Sequence, residues 1–263
     1  MEKRRMIINY MLIIFIGVIL FLFSINKKEK EELLIFSGAA NKKWLDEVCK
    51  IFGEMYGTKV DVVYGGSGYV LSQMILSKRG DVYIPGTSDF MDLAVKKDVV
   101  YKDKILDIAY LEPAIIVHVS NSSIQNLKDL AYKSKRICIA NPENVCLGKY
   151  ALKIFEKNLN ETERKLVISK ISVYAESCEK VATLVALNAV DAAIGWSVFQ
   201  YWDKNIKVIK LRKEEFGEYG VIQAAICKYS KNKRAYDFLN FLKTNTVKNV
   251  LIKNHYIIER SSE

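Results

Sequence analysis

Four short segments put small residues where chemistry on an anion could be done. Ser37-Gly38, Gly66-Ser67-Gly68 and Leu147-Gly148 each fall between an aliphatic, strand-like run and a stretch of helical period, and Ser177-Cys178 opens a fourth such helix. The first N–H groups of a helix have no partner within the helix, and the aligned peptide dipoles leave a partial positive charge there. Glycine allows close backbone approach, and serine adds a hydroxyl donor. Four such junctions brought together would enclose a small anion with donors alone. Loops 37–40 and 65–68 contain no Asp or Glu, although Glu143 and Glu176 flank the other two. A donor-only lining suits a fully ionised oxyanion such as molybdate, tungstate or sulfate better than phosphate, whose remaining proton calls for a carboxylate acceptor.

The elements that must position these loops alternate in the manner of an α/β fold. Leu33-Leu34-Ile35-Phe36 reads as a buried strand, and Trp44, Val48, Ile51, Phe52 and Met55 then recur at helical spacing up to Gly57. Val60–Tyr64 and Asp81–Ile84 read as further strands around a helix through Val70, Met74 and Ile75, with Pro85-Gly86 as a turn and Ser88 as the next helix cap. The alternation restarts at Pro113–Val119 and continues through strands at Ile137–Ala140, Ser172–Tyr174 and Ala192–Trp196, with helices at Gly148–Lys157 and Val181–Asn188. A strand at Val221–Cys227 and two helices close the chain. In open sheets of this kind ligands bind at the carboxyl ends of the strands, where these loops gather. No Gly/Pro/Ser-rich linker separates the halves, which predicts two lobes joined by strands crossing near Ala109–Pro113 and Gly217–Val221.

Composition narrows the alternatives. Of 263 residues, 50% are hydrophobic types and 27% charged, with a net charge of +10, the balance of a globular chain. The basic residues alternate with acids and are not interleaved with aromatics, so nucleic acid is not an expected partner. Lys3, Arg4 and Arg5 precede an apolar stretch, 6–23, just long enough to span a bilayer and followed by no small-x-small cleavage site. An uncleaved membrane anchor with a polar linker to about residue 30 is expected, or a secreted protein if the segment is removed. The five cysteines, Cys49, Cys138, Cys146, Cys178 and Cys227, show no zinc spacing, so no structural zinc is expected, and with no Walker A loop or Rossmann glycine fingerprint no cofactor is expected either. Cys146 and Cys178 lie on two of the loops, and in an oxidising medium they are candidates for a disulfide as well as for ordinary buried thiols. Only His118 and His255 could serve a serine nucleophile as base, and Gly65-Gly66-Ser67-Gly68-Tyr69 lacks the nucleophile-elbow spacing, so no enzyme is expected.

From about Leu33 to Ile257 the chain resembles the periplasmic molybdate-binding proteins of ABC importers, within the type II solute-binding fold. Phe36-Ser37-Gly38-Ala39-Ala40 is similar to the family's first ligand loop, and Val63-Tyr64-Gly65-Gly66-Ser67-Gly68 followed by Gly80-Asp81-Val82-Tyr83-Ile84 to its second loop and next strand. Asn141-Pro142-Glu143-Asn144-Val145-Cys146-Leu147-Gly148-Lys149-Tyr150-Ala151 resembles its central motif, and Val190–Trp196 the strand that ends at the pocket. The resemblance implies a monomer with a first lobe of 31–108 plus 222–263, a second of 112–216, and a ligand cleft between them. It implies an extracytoplasmic protein that captures molybdate or tungstate for a membrane permease. It also implies ligand donors at Ser37 and Ser67, at the N–H groups of Leu147 and Cys178, and at Trp196. Molybdenum or tungsten would be held as the oxyanion, with no protein atom on the metal. The family commonly has a tyrosine hydroxyl where Trp196 stands, and the indole N–H has a different reach. The other reading in view is a membrane-anchored sensor of the same fold with a changed ligand, such as sulfate or another small anion.

Overall fold

A computed structural model describes residues 32–259; the apolar stretch 6–23 and its linker lie outside the described residues. Among the described residues no helix is long and apolar enough to cross a membrane.

The chain opens with β1 (Glu32–Gly38), whose alternate residues Leu33 and Ile35 are fully buried, and turns into α1 (Lys42–Tyr56). Trp44, Leu45, Val48 and Phe52 line the inner face of α1 at helical spacing, and Phe52 meets Phe238 edge-on at 5.0 Å between ring centres. Gly57 ends α1 at φ 62°, a left-handed conformation that glycine adopts without steric cost, with its N–H on the Gly53 carbonyl. There follow β2 (Lys59–Gly65), α2 (Ser67–Ser77), β3 (Val82–Ile84), α3 (Ser88–Lys96) and β4 (Leu106–Leu111). After Glu112 the chain enters a second sheet with β5 (Pro113–His118), α4 (Leu127–Tyr132), β6 (Ile137–Ala140), α5 (Cys146–Asn158), α6 (Glu161–Ser169), β7 (Ile171–Ala175), α7 (Cys178–Ala186), β8 (Ala192–Trp196), β9 (Ile206–Lys210) and the short α8 (Lys213–Phe216). It returns to the first sheet through β10 (Gly220–Ile226) and ends in α9 (Arg234–Phe241) and α10 (Asn245–Lys253).

Each sheet has five strands, in the orders β2-β1-β3-β10-β4 and β7-β6-β8-β5-β9. The strands whose carboxyl ends carry the small-residue loops are parallel: β1 to β2 and β3, and β6 to β7 and β8. The passages between sheets lie side by side, because β4 and β10 pair antiparallel with Leu111 opposite Gly220 and Tyr110 opposite Val221. Two lobes joined at adjacent strands can pivot about that line.

The residues before β6 and β8 are tied by Asp191. Its carboxylate accepts from the Lys135 N–H at 2.6 Å, the Arg136 N–H at 2.9 Å and the Arg136 guanidinium at 3.2 Å. Burial pushes this carboxyl up, but the two backbone donors and the guanidinium outweigh it and hold the group below the usual carboxylate range. Its stabilisation is therefore present at neutral pH and is lost as pH falls through the lowered folded value. Asp191→Asn is expected to lower unfolding free energy at pH 7 by about 1–2 kcal/mol, as expected of hydrogen bonds to a charged group. In urea unfolding the deficit should vanish at a pH that protonates the carboxyl in both states.

Candidate functional site: a donor-lined cage between the lobes

The loops meet between the lobes. A Cβ added to Gly38, at the end of β1, would stand 2.6 Å from the Gly86 nitrogen and 2.8 Å from Ser67 Oγ. One added to Gly86 would stand 2.9 Å from Cys146 Sγ, in the opposite lobe. One added to Gly220 would meet Thr87 Cγ2 at 2.8 Å and Trp196 Cη2 at 3.0 Å. Ser67, Gly86 and Thr87 of the first lobe thus face Cys146 and Trp196 of the second, with Leu147 next to Cys146 in the chain. The lobes also touch at the rim, where the Gly68 N–H donates to the Asn144 carbonyl at 2.8 Å.

Each of the residues expected from the sequence has a defined place. Ser67 is the first residue of α2 and is buried; its Oγ accepts from the Gly86 N–H at 2.9 Å, and its own hydroxyl hydrogen is left to point elsewhere. Tyr83 steadies that turn by donating its hydroxyl to the Ser67 carbonyl at 2.9 Å. Ser37 is buried at the same end of the sheet, but its hydroxyl donates to the Ile84 carbonyl at 3.0 Å and accepts from Asn41 Nδ2 at 3.2 Å. The Ser37 hydroxyl thus ties β1 to the end of β3. Leu147 is the second residue of α5, with its N–H directed at the Cys146 thiol. Cys178 is the first residue of α7, whose start is fixed by Ser177 Oγ accepting from the Lys180 N–H at 3.1 Å. Trp196 ends β8, fully buried, with the Tyr150 ring edge-on at 5.1 Å.

Two members of the cage go beyond the set expected from the sequence. Thr87, rather than Ser88, occupies the cap position of α3, and its hydroxyl does not cap the helix. Cys146 begins α5, two residues before the expected start at Gly148. Gly148 serves packing instead, because a Cβ there would stand 2.2 Å from the Ala140 carbonyl oxygen, and glycine lets α5 seat against the end of β6. Pro85-Gly86-Thr87-Ser88 is itself a strand-to-helix junction rich in small residues, a fifth copy of the pattern that could have pointed to Thr87.

The electrostatics of the cage favour negative charge. The Thr87 hydroxyl and the Trp196 indole N–H are wholly buried and make no full hydrogen bond among the described residues; each lies beside a thiol, Thr87 by Cys146 and Trp196 by Cys178, which is a weak acceptor. A buried donor left unsatisfied costs about 1–3 kcal/mol, and two at one place need a reason. The Cys146 thiol is held below the ordinary thiol range by the Cys178 thiol first, against burial, and then by the Thr87 hydroxyl, the Leu147 N–H and the Ser67 hydroxyl. Cys178 is pushed well up by Cys146 and by burial, so of the two thiols Cys146 is the first to give up its proton. Glu143 and Glu176 are exposed, and the buried carboxylates among the described residues, Asp129 and Glu163, serve the starts of α4 and α6. No buried carboxylate among the described residues joins the donors of the cage.

Neither histidine touches these serines. His118 Nδ1 pairs with Ser120 Oγ at 2.7 Å at the end of β5, and the His255 ring stacks on Tyr201 at 3.6 Å.

A sequence profile described as bacterial extracellular solute-binding protein matches residues 33–257. The chain belongs to that family. This solute-binding protein is 29% identical over 179 residues to a Haemophilus influenzae chain described as a binding protein, covering 68% of this chain and 70% of that one. Its fold is that of the Azotobacter vinelandii periplasmic molybdate-binding protein, with a TM-score of 0.74 at 16% identity over 87% of this chain and all of that one (100%). It is equally that of the periplasmic binding protein AfuA of Actinobacillus pleuropneumoniae, solved with fructose-6-phosphate bound, with a TM-score of 0.73 at 17% identity over 89% of this chain and 87% of that one. The two-lobed architecture of the solute-binding protein is shared with chains whose named ligands differ, so the ligand has to be argued from the cage.

Proposed function

We propose that this solute-binding protein captures a small, fully ionised tetrahedral oxyanion, molybdate or tungstate, outside the cytoplasm and delivers it to an ABC-type membrane permease, with the apolar stretch 6–23 as its tether. The observation that carries the reading is the pair of buried, unpartnered donors, Thr87 Oγ and Trp196 Nε1, one on each lobe. The Ser67 hydroxyl and the Leu147 N–H add to them, and the starts of α2, α5 and α7 contribute the positive ends of their dipoles. An anion would first meet Ser67 and Thr87, and the second lobe would then close Leu147, Cys178 and Trp196 onto its remaining oxygens. The absence of a buried carboxylate among the cage residues disfavours a protonated ligand. Close approach of Gly38 to Gly86, and of Gly66 to the Glu176 carbonyl, favours a small ion over a phosphorylated sugar.

Thermal unfolding across molybdate, tungstate, sulfate and phosphate tests the assignment. A ligand at 100 times its Kd is expected to stabilise the fold by about 2.7 kcal/mol. Molybdate or tungstate should do so with phosphate inert, and failure of all four at millimolar concentration would remove the proposal. A response to sulfate alone would favour the sensor reading, which draws its support from the indole at position 196.

The two serines are expected to separate. Ser67→Ala should weaken oxyanion binding by about 1.5–3 kcal/mol, the range for a hydrogen bond to a charged group. Ser37→Ala should instead lower stability, since its hydroxyl joins β1 to β3. Calorimetry and urea unfolding on both variants read the two effects independently.

A further inference from the structure

The five cysteines are buried, and all are free thiols, but they are not alike. Cys49 and Cys227 sit in the first lobe, where burial raises both thiols far above the ordinary range, and burial in β6 pushes Cys138 up to about 12. Such thiols are poor nucleophiles at neutral pH. Cys146 and Cys178 differ in place and surroundings. Each is the first residue of a helix, α5 and α7, so each lies at the positive end of a dipole. Their thiols adjoin one another, and the unpartnered Thr87 hydroxyl and Trp196 N–H stand beside them. Both belong to the second lobe and face the first, so separation of the lobes would open them to solvent together.

We propose that Cys146 and Cys178 form a redox-active pair that regulates the anion cage, bridged by exchange with a low-molecular-weight disulfide. The part of this inference that concerns ligand affinity rests on the oxyanion reading above; the part that concerns the thiols does not. The Cys146 thiolate attacks one sulfur of the small disulfide, forming a mixed disulfide and releasing one small thiolate. That thiolate takes up the Cys178 proton, and the Cys178 sulfur then attacks Cys146 and expels the second small thiolate, which is protonated from water in exchange for the proton that Cys146 gave up on ionising. In balance, two protein thiols and one small disulfide give one protein disulfide and two small thiols. The lowered thiol of Cys146 suits the attacking role, and the proton held on Cys178 suits the resolving one.

The consequence for binding follows from where Cys146 Sγ stands. It lies among Ser67, Gly86 and the Leu147 N–H, the groups assigned to the anion, and takes up their donors itself. A bond to Cys178 consumes the thiol of the pair that ionises first and draws its sulfur off those donors. The bridged form is therefore the tighter binder.

The test uses the full chain, reduced and desalted, then incubated with glutathione disulfide, with thiols counted under denaturing conditions and the intact mass recorded. The thiol count is expected to fall from five to three with a loss of two hydrogens. Cys178→Ser should stop at a mixed disulfide with glutathione on Cys146, and Cys146→Ser should keep its four thiols. Molybdate titration should give at least about a tenfold lower Kd for the bridged form than for the reduced one. Wild type that retains five thiols, or Cys146→Ser that still loses two, overturns the pair. Equal molybdate affinity in both forms overturns the regulation. If the bridge forms and molybdate binds neither form, the pair stands and the oxyanion reading falls.

Discussion

Replacing Thr87 by valine is expected to weaken oxyanion binding while leaving the fold as stable as before or more stable. The Thr87 hydroxyl is buried with no acceptor better than the Cys146 thiol, so the closed form, when empty, bears the cost of keeping it from water. Valine has nearly the same shape and removes that cost, a gain of up to about 1–3 kcal/mol in unfolding free energy. The same change deletes a donor to a charged ligand, a loss of about 1.5–3 kcal/mol, or roughly ten- to a hundredfold in Kd. A residue present only for packing would move stability and leave the titration alone. Urea unfolding and calorimetry on one preparation therefore separate a ligand donor from a structural hydroxyl, and a destabilised Thr87→Val with unchanged affinity would assign Thr87 to the fold.

Gly66→Ala is expected to act on closure. Gly66 has φ −60° and ψ 138°, a backbone conformation open to any residue, so alanine introduces no local strain. The added Cβ would stand 2.7 Å from the Glu176 carbonyl oxygen and 2.9 Å from Val145 Cγ2, both across the cleft. The first of these is backbone and cannot turn aside, so the lobes must stay further apart. Overpacking of this kind costs about 1–3 kcal/mol, which should appear as a roughly ten- to hundredfold loss of oxyanion affinity. The melting point without ligand should change little, within about 2 °C, because the variant's lobes can stay apart and leave the contact unmade. Small-angle scattering should show wild type contracting on addition of molybdate and the variant failing to do so. Equal contraction of both would mean that this contact does not limit closure.

Much of this was legible from local chemistry. The small-residue junctions, the helical period of Trp44 to Met55 and the Gly57 stop are each set by residues near in sequence, and the structure forms β1, α1 and the helix starts at Ser67 and Cys178 where the pattern places them. The role of Ser37 depends on a partner 47 residues away: the Ile84 carbonyl takes its hydroxyl hydrogen, and no local pattern announces that pairing. The cap before α3 lies one residue earlier than expected, because Thr87 and Ser88 are both ordinary cap residues. Only the neighbouring Gly220 and Trp196 show that Thr87 faces the other lobe. At α5 the glycine in Leu147-Gly148 suggests a helix start, whereas Gly148 serves contact with β6 and the helix begins at Cys146. That shift brings Cys146 into the cage, and with it the more acidic thiol of the pair.

Convergence of donors from both lobes on one small anion should be visible in a crystal structure grown with molybdate, using anomalous scattering at the molybdenum edge. A single strong peak is expected between the lobes, its oxygens within hydrogen-bond distance of Ser67 Oγ, Thr87 Oγ, the Leu147 N–H and Trp196 Nε1. A peak elsewhere, or a molybdate-soaked crystal in which Thr87 and Trp196 still lack partners, would mean that the cage is not the anion site.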